Sequence, residues 1–266
     1  YKRKLQFRNV SSYIQMTEIL PQKYDRLYLT VTYLIITFFT LGWVWQYIWN
    51  LDPRLIITYL LAVLVGTLGT NVGYHRLFTH KAFKTSKFWY NTLAFFGVYG
   101  TVSSSIGWVA THLHHHRYLG KDMDPHTPWT EKNKFRGWLR TFLPLWMNVP
   151  QADAKLLIAM RHLLQNKWIM FLHKWAPIQV YGTGTAIWLL FGFDWFLLAF
   201  CFPIGYSLIS QFCVNWFHYD IEFVHKNRWW LNILIGGEGN HKHHHDFPRD
   251  YSKDWPIKYF IDWIKI

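Results

Sequence analysis

The sequence contains five long stretches without a single Asp, Glu, Lys or Arg. They cover residues 27–51, 55–75, 88–116, 175–193 and 195–219. A helix needs about 20 predominantly apolar residues to cross the hydrocarbon core of a bilayer, at about 1.5 Å of rise per residue. Each stretch is therefore a candidate membrane span, and the chain is not expected to fold as a water-soluble globule.

The composition agrees with a membrane protein. Apolar and aromatic residues make up 51% of the chain and charged residues 16%, against roughly 25% charged residues in soluble domains. So much apolar sequence excludes a disordered chain. Two cysteines, Cys201 and Cys213, are too few for a disulfide-stabilised scaffold.

Two pairs of these stretches are separated by very short polar breaks, residues 51–54 and Asp194, which predicts two tight hairpins. The loops on the far side would then hold Arg54 and no other of the 28 Lys and Arg residues. This asymmetry predicts that the near side, with both termini, is cytosolic. The formal charge of +13 is thus explained by basic residues that mark the cytosolic side and are attracted to anionic lipid head groups. We therefore expect no nucleic-acid partner. The polar, basic residues 1–26 and the long first apolar run do not resemble a signal peptide.

The middle stretch, 88–116, is long enough to span but contains Gly97, Gly100 and three consecutive serines at 103–105. If it crossed the membrane, two groups of histidines on either side of it could never meet. We therefore predict that it packs on the near side or lies in the interface. The expected fold is an all-α membrane domain over residues 1–266, with spans at 27–51, 55–75, 175–193 and 195–219 and a cytosolic helical cap formed by 76–174 and 220–266.

Ten of the fifteen histidines fall within three short windows. The first window holds His75 and His80, at the end of the second predicted span. Residues five apart are about 140° from each other on an ideal helix, so this pair can face one metal only if the helix ends or bends between them. Taken alone, the pair is weak evidence for a metal site, because two histidines at a membrane boundary are more often ordinary interfacial residues.

The other two windows each contain the pattern HxxHH, first as His112, His115 and His116, and then as His241, His244 and His245. Positions i, i+3 and i+4 share one face of a helix. Adjacent residues diverge by about 100°, so each cluster can address two metal ions, while His114 and His243 fall off that face. A ninth candidate is His218, which follows Asn215 at the end of the last span, although a helix-end histidine also commonly snorkels to the interface.

Nine imidazoles suit two metal ions with four or five ligands each. Imidazole is compatible with zinc, copper, iron and nickel. A site at the ends of apolar spans faces acyl chains, however, and breaking an unactivated C–H bond needs a redox metal and oxygen, which zinc does not provide. The sequence therefore favours iron.

The motifs resemble those of the integral-membrane fatty acid desaturases, the three-histidine-box family that includes the stearoyl-coenzyme A desaturases. The resemblance lies in residues 75–80 (HRLFTH), in 115–118 (HHRY) running into 122–126 (DMDPH), and in 237–248 (GEGNHKHHHDFP). The last motif resembles the family pattern GEGxHxxHHxFP and is highly specific. In order and spacing the likeness covers roughly residues 55–252, and it is greatest to the Δ9 branch.

This resemblance implies four spanning helices, a cytosolic cap, and a di-iron centre with O₂ as co-substrate. Position by position, it implies that the metals are held by nine histidines: His75, His80, His112, His115, His116, His218, His241, His244 and His245. It also implies that Asn215 acts through a water molecule. The sequence departs from the stearoyl-type pattern here, because Asn215 and His218 are one residue closer together than in NxxxH.

A second departure concerns the substrate. Trp108 matches a tryptophan of the family, and we include it among the residues of an acyl tunnel. The stearoyl-type enzymes have an arginine two residues before the second box, at the position of Ala110, where it holds coenzyme A. The acyl carrier therefore remains open between a coenzyme A thioester, an intact glycerolipid and an acyl-carrier protein.

Carboxylates close to the boxes are candidates to orient the metal-binding rings: Asp122, Asp124, Glu238 and Asp246. Each of them could instead cap a helix or neutralise a lysine. Three glycines of the second span, Gly66, Gly69 and Gly73, are candidates to line the acyl tunnel. The equally favoured alternative is close helix packing of the small-xxx-small kind.

The sequence thus predicts an oxidoreductase, a membrane desaturase that inserts a cis double bond, at Δ9 by resemblance, into a saturated acyl chain. A hydroxylase on the same scaffold is the first alternative, and a non-catalytic metal-binding membrane protein is the second. No haem or flavin fingerprint is visible, so the electrons are expected from a separate donor such as a b-type cytochrome or a ferredoxin. The expected membrane is the endoplasmic reticulum in a eukaryote, or the inner or thylakoid membrane in a bacterium.

Overall fold

A computed structural model describes residues 23–126, 134–144, 153–218 and 226–266. Tyr219 and parts of the two predicted cap segments lie outside these ranges. Within them, one isolated bridge joins Thr85 to Lys265 and every other element is helical. The helices are α1 (Lys23–Trp49), α2 (Leu55–Thr79), α3 (Lys87–Thr101), α4 (Ser105–Tyr118), α5 (Lys134–Phe142), α6 (Ala154–Leu164), α7 (Lys167–Phe191), α8 (Phe193–Phe217), α9 (Leu231–Ile235), α10 (His241–Asp246) and α11 (Ile257–Ile264). The all-α prediction is confirmed for the described residues.

Three helical segments combine the length and the hydropathy that a membrane crossing requires: Arg26–Trp49, Leu55–Thr79 and Phe193–Phe217. They match three of the four predicted spans by length and composition, which indicates a membrane protein. The fourth predicted span falls in α7, which has 25 residues but is not among these three. Its crossing of the membrane stays a prediction.

The two short polar breaks lie together at one end of the bundle. Arg54, in the break after α1, approaches Asp194 at the start of α8 at 3.5 Å, and the Tyr47 hydroxyl donates to the same carboxylate at 2.9 Å. Large apolar side chains nearby are exposed, among them Trp49, Leu189 and Leu190. Exposed apolar side chains of this size are expected where a helix faces lipid.

The middle stretch forms two helices, α3 and α4, which meet at a bend of 76°. The bend falls at Val102–Ser104, where Val102 adopts a left-handed backbone (φ 45°). The hydroxyl of Tyr74 lies within hydrogen-bond distance of the carbonyls of Ala94, on α3, and of Ser103, in the bend itself. Because of this bend, α4 runs back towards the end of α2, and Nε2 of His112 lies 3.2 Å from Nε2 of His80. Together α3 and α4 also have the length and hydropathy of one broken span, so the position of this stretch on the near side stays a prediction.

Helix α2 packs more extensively on α3 than any other pair of described helices pack on each other. Gly69 allows the close approach, because a Cβ atom there would lie 2.5 Å from the backbone nitrogen of Gly97. At Gly73 a Cβ would lie 3.0 Å from Cβ of Leu93. Both glycines therefore face α3, which favours the helix-packing alternative over the acyl tunnel. Gly66 faces Ser207 of α8.

Candidate metal centre

The end of α2 has an unusual helical geometry that brings the first two histidines together. From Val63 to Thr79 the helix has π-type hydrogen bonds, in which residue i+5 donates to residue i. The last of these runs from the His80 amide to the His75 carbonyl at 3.2 Å. The sequence required the helix to end or bend between the two residues, and the structure both widens the helix and ends it at Thr79. As a result the two rings lie 5.0 Å apart.

Five imidazoles from three elements converge at this point. Their ligand-type nitrogens lie within 4.8 Å of one another and belong to His75, His80, His112, His116 and His244. We call this set the five-histidine group. Its shortest contact joins Nε2 of His75 to Nε2 of His244 at 2.9 Å, and Nε2 of His116 lies 3.1 Å from Nε2 of both His112 and His244.

Three further imidazoles form a second set, which we call the three-histidine group: His115, His241 and His245. Nε2 of His245 lies 3.0 Å from Nε2 of His241 and 3.3 Å from Nε2 of His115. The two groups adjoin, since the His116 and His245 rings are 4.4 Å apart. The adjacent residues of each HxxHH pattern are thus divided between the groups, as their 100° divergence predicts.

These spacings suit bound metal ions. At metal–imidazole distances of about 2.1 Å, neighbouring nitrogens of an octahedral site are about 3.0 Å apart and opposite ones about 4.2 Å. The short contacts of the five-histidine group, 2.9 to 3.2 Å, match the first value, and all of its ligand-type nitrogens lie within 4.8 Å of one another. Converging ring nitrogens cannot all be satisfied by one another, because a neutral imidazole carries a single N–H. Nδ1 of His244 is buried and has no hydrogen-bond partner. The residues present therefore fit a pair of metal ions.

Electrostatics favours the metal-binding form of these rings. Burial, followed by repulsion from neighbouring imidazoles and from Arg76, holds the pKa of His80 and of His244 well below the ordinary value. The rings are therefore neutral at physiological pH, and neutral imidazole is the form that binds a metal.

Two of the four predicted orienting carboxylates contact the histidines. Glu238 Oε1 lies 2.7 Å from Nδ1 of His75, and Asp124 Oδ1 lies 2.7 Å from Nδ1 of His115. Both contacts leave Nε2 of the ring directed into its group, the arrangement by which a carboxylate orients a metal ligand. Burial alone would raise the pKa of Asp124, but His115 and His126 lower it to about 2. The carboxylate is therefore ionised.

The other two carboxylates are placed elsewhere. Asp246 is exposed at the surface and pairs with Lys242 at 2.7 Å, the alternative role that the sequence allowed. Asp122 is exposed as well, and its backbone carbonyl accepts a hydrogen bond from Arg140. Sequence proximity to a box did not separate these two residues from Asp124 and Glu238.

His218 and Asn215 lie beside the groups but outside them. The His218 ring is 4.7 Å from the His241 ring, and its nitrogens lie 3.0 Å from the Val214 carbonyl and 3.3 Å from the Gly239 carbonyl. Asn215 faces a small cavity next to the histidines. Their metal-binding roles stay predictions.

An apolar cavity adjoins the histidines. It is bounded by α1, α4, α5 and α8 and includes Leu29, Tyr33, Phe142, Leu208 and Phe212, with about 800 Å³ of space inside and at its open mouth. Its inner end meets the small cavity beside the histidines, and the residues common to both are Trp108, His126, Gln211 and Asn215. Trp108 stacks on His112 at 4.8 Å and donates from Nε1 to Gln211 at 3.2 Å. The tunnel role predicted for Trp108 agrees with this position.

Sequence reasoning left His126 and Gln211 without a role. His126 closes the quoted DMDPH motif, which was the available signal, and its Nδ1 is buried without a hydrogen-bond partner. Gln211 precedes Asn215 by one helical turn. That spacing could have placed both on one face of α8, next to the cavity.

Comparison with known proteins agrees with this geometry. Residues 54–255 match the family model of the fatty acid desaturases. An acyl-CoA C20 Δ5-desaturase of Anemone leveillei is 25% identical over 79% of this chain and 66% of its own length. An sn-1 stearoyl-lipid 9-desaturase of Anabaena variabilis is 29% identical, over 79% and 75%.

A Δ9 fatty acid desaturase of Caenorhabditis elegans is 27% identical over 76% of this chain. The match covers 64% of that relative, so the chain spans about two thirds of the length of two of these three proteins. The family match itself extends over three quarters of the chain and includes every histidine of both groups. With its histidines gathered at the ends of apolar helices, the chain belongs to the fatty acid desaturase family.

Proposed function

We propose that this protein is a fatty acyl desaturase that uses two iron ions and O₂ to insert a cis double bond into a saturated acyl chain. The observation that carries the proposal is the position of the two histidine groups at the inner end of an apolar cavity. Family membership supports the same reaction class.

The five-histidine group would hold one iron and the three-histidine group the other. His218, and Asn215 through a water molecule, would complete the second site. Iron, when bound, supplies the oxidation of an unactivated methylene pair by O₂. The acyl chain loses two hydrogens, and two electrons from an external donor, with two protons, complete the reduction of O₂ to two water molecules.

The protein's own residues have three tasks in this reaction. Glu238 and Asp124 accept the Nδ1–H of His75 and His115 and so direct Nε2 at the metals. Trp108, stacked on His112, forms the wall past which the acyl chain approaches. Burial of the histidines keeps bulk water away from the reacting carbons.

The substrate is positioned by shape, because an acyl chain has no polar group near its reacting carbons. The mostly apolar walls of the cavity suit such a chain. We propose Δ9 as the position of the double bond, since the relatives from Anabaena and Caenorhabditis are described as 9-desaturases. The carrier is open between coenzyme A, a glycerolipid and an acyl-carrier protein.

We place the site on the cytosolic face of the membrane, with both termini. The sequence has 28 basic and 15 acidic residues, and nearly all of the basic ones lie outside the predicted far-side loops. Such a surface favours an acidic electron donor, and a b-type cytochrome or a ferredoxin would suit it.

The test is expression in a host that lacks its own desaturases, followed by mass spectrometry of the fatty acids in each lipid pool. We expect chains with two hydrogens fewer and a cis double bond. The pool in which they first appear identifies the carrier.

Two neighbouring histidines of the chain offer a test variant and its matched control. His244→Ala removes a member of the five-histidine group and should abolish the product, whereas His243→Ala, on the same short helix, should retain it. Hydroxylated chains would favour the hydroxylase alternative. An unchanged profile with iron-loaded protein and a working donor would contradict both reactions.

A further inference from the structure

The loop that follows α4 is folded around a single carboxylate. Asp124 is fully buried, and its Oδ1 contacts both Nδ1 of His115 and the backbone N–H of His126, at 2.7 and 2.9 Å. Its Oδ2 accepts the backbone N–H of Gly120 at 2.9 Å. The position of the His115 ring therefore depends on the path of residues 119–126.

A residue from a different helix fixes that path. Nη2 of Arg140, on α5, donates to the carbonyls of Asp122 and Asp124 at 2.9 and 2.7 Å. Arg140 is only 6% exposed. A buried guanidinium is expected to be costly unless its donors are used, and here one nitrogen holds two carbonyls on either side of Met123.

The five-histidine group has a comparable arrangement of a carboxylate and a side-chain donor near it. Glu238 contacts His75, and Nδ2 of Asn71, one turn earlier on α2, donates to the carbonyls of Ile235 and Gly236 at 2.7 and 3.2 Å. In both groups one side-chain nitrogen donates to two backbone carbonyls that lie in the loop carrying the carboxylate or at its start. The difference is that Asn71 lies on the same helix as the histidine it serves, whereas Arg140 lies on separate helix α5.

We propose that Arg140 is a positioning residue for the metal of the three-histidine group, acting through Asp124 on His115. The inference rests on the two-metal part of the proposed function. It assigns Arg140 no contact with substrate or metal. Helix α5 also contributes Thr141 and Phe142 to the apolar cavity. The same helix therefore forms part of the cavity wall and, through Arg140, holds the loop that carries Asp124.

The experiment measures iron bound per full-length chain, after reconstitution in detergent and dialysis against a weak chelator. The variants are Arg140→Gln and Arg136→Gln, the latter an exposed arginine one turn earlier on α5. We expect two irons in the wild type and in Arg136→Gln. Arg140→Gln should retain close to one, and Arg140→Lys, which keeps a donor, should recover part of the loss.

Asp124→Asn should release the same iron, and the double variant Arg140→Gln/Asp124→Asn should lose no more than either single variant, because both act on one ring. Phe142→Ala is a control for the cavity wall and should keep both irons. Thermal unfolding measurements show whether Arg140→Gln is folded. If it is not, the iron content of Arg140→Lys is compared with that of the wild type instead.

Two irons in Arg140→Gln with wild-type chelator resistance would overturn the inference and leave the desaturase proposal standing. Two irons in the wild type with no double bond formed would overturn the desaturase proposal, while the Arg140 comparison is still decided by metal content. Fewer than two irons in the wild type would overturn both.

Discussion

The two histidine groups differ in how the chain holds their rings in place. In the five-histidine group, four of the five residues lie at the ends of α2 and α4, two helices that converge through the bend before α4. In the three-histidine group, two of the three residues, His241 and His245, belong to the six-residue helix α10, and only His115 lies on α4.

This difference has a physical consequence. Ring positions on long packed helices are fixed by many buried contacts, whereas ring positions on a short helix such as α10 depend more on a few individual contacts. The five-histidine group also offers more histidines, five against four when His218 is counted with the three-histidine group. We therefore expect its metal to be the more tightly held, and the following predictions test that comparison.

The largest effect is expected at His244, whose Nε2 contacts Nε2 of both His75 and His116, at 2.9 and 3.1 Å. His244→Ala should release the more tightly held iron and reduce product formation to the background of the host. Iron content and fatty acid analysis measure the two effects. In His243→Ala both should remain, because Nε2 of His243 contacts Asp250 instead; loss of iron there would contradict the assignment.

The next largest effect concerns the carboxylates. Glu238→Gln and Asp124→Asn should each weaken one metal by about 10- to 100-fold, the usual cost of losing a partner of a ligating histidine. The affected iron should differ, belonging to the five-histidine group in the first variant and to the three-histidine group in the second. Competition with a chelator measures both affinities. Asp246→Asn should change neither, because Asp246 pairs with Lys242 at the surface.

A chelator should also distinguish the groups in the unchanged protein. We expect iron to leave in two phases, with the three-histidine group emptied first. Asp124→Asn should accelerate the faster phase and leave the slower one unaltered. A single phase, or acceleration of the slower phase by Asp124→Asn, would contradict the difference between the groups.

The smallest effect is expected at Asn71. Asn71→Ala removes the donor to the Ile235 and Gly236 carbonyls and should cost about 1 kcal/mol, the net worth of such a hydrogen bond. Affinity for the iron of the five-histidine group should fall by roughly 2- to 10-fold, as measured by chelator competition. Asn50→Ala, in the exposed break after α1, is the matched control, and an equal loss in both variants would rule out a specific role for Asn71.

Much of the site could be predicted from the sequence because it depends on local periodicity. The spacing i, i+3, i+4 places three rings on one face of a helix whatever its surroundings, and both HxxHH patterns supply rings to both groups in the structure. Three candidate spans followed in the same way from apolar length alone.

Other features could not be predicted, because they depend on contacts between distant segments. The π-type geometry of α2 leaves no signature in residues 63–79. Gly69 and Gly73 were equally suited to a tunnel and to a helix interface until α3 was placed against them. Asp124 and Asp246 were equivalent as carboxylates near a box, and only the fold directs one at His115 and the other at Lys242.

By itself, then, the sequence determined that this chain is a helical membrane protein with histidines in three clusters, since hydrophobic length and helical periodicity are local properties. Only the tertiary structure decided which rings share a group, which carboxylates orient them, and that Arg140 on a separate helix holds the loop of Asp124. The reason is that a ligand group is a set of distances between residues as many as 169 positions apart, and those distances are fixed by the packing of helices rather than by the order of residues.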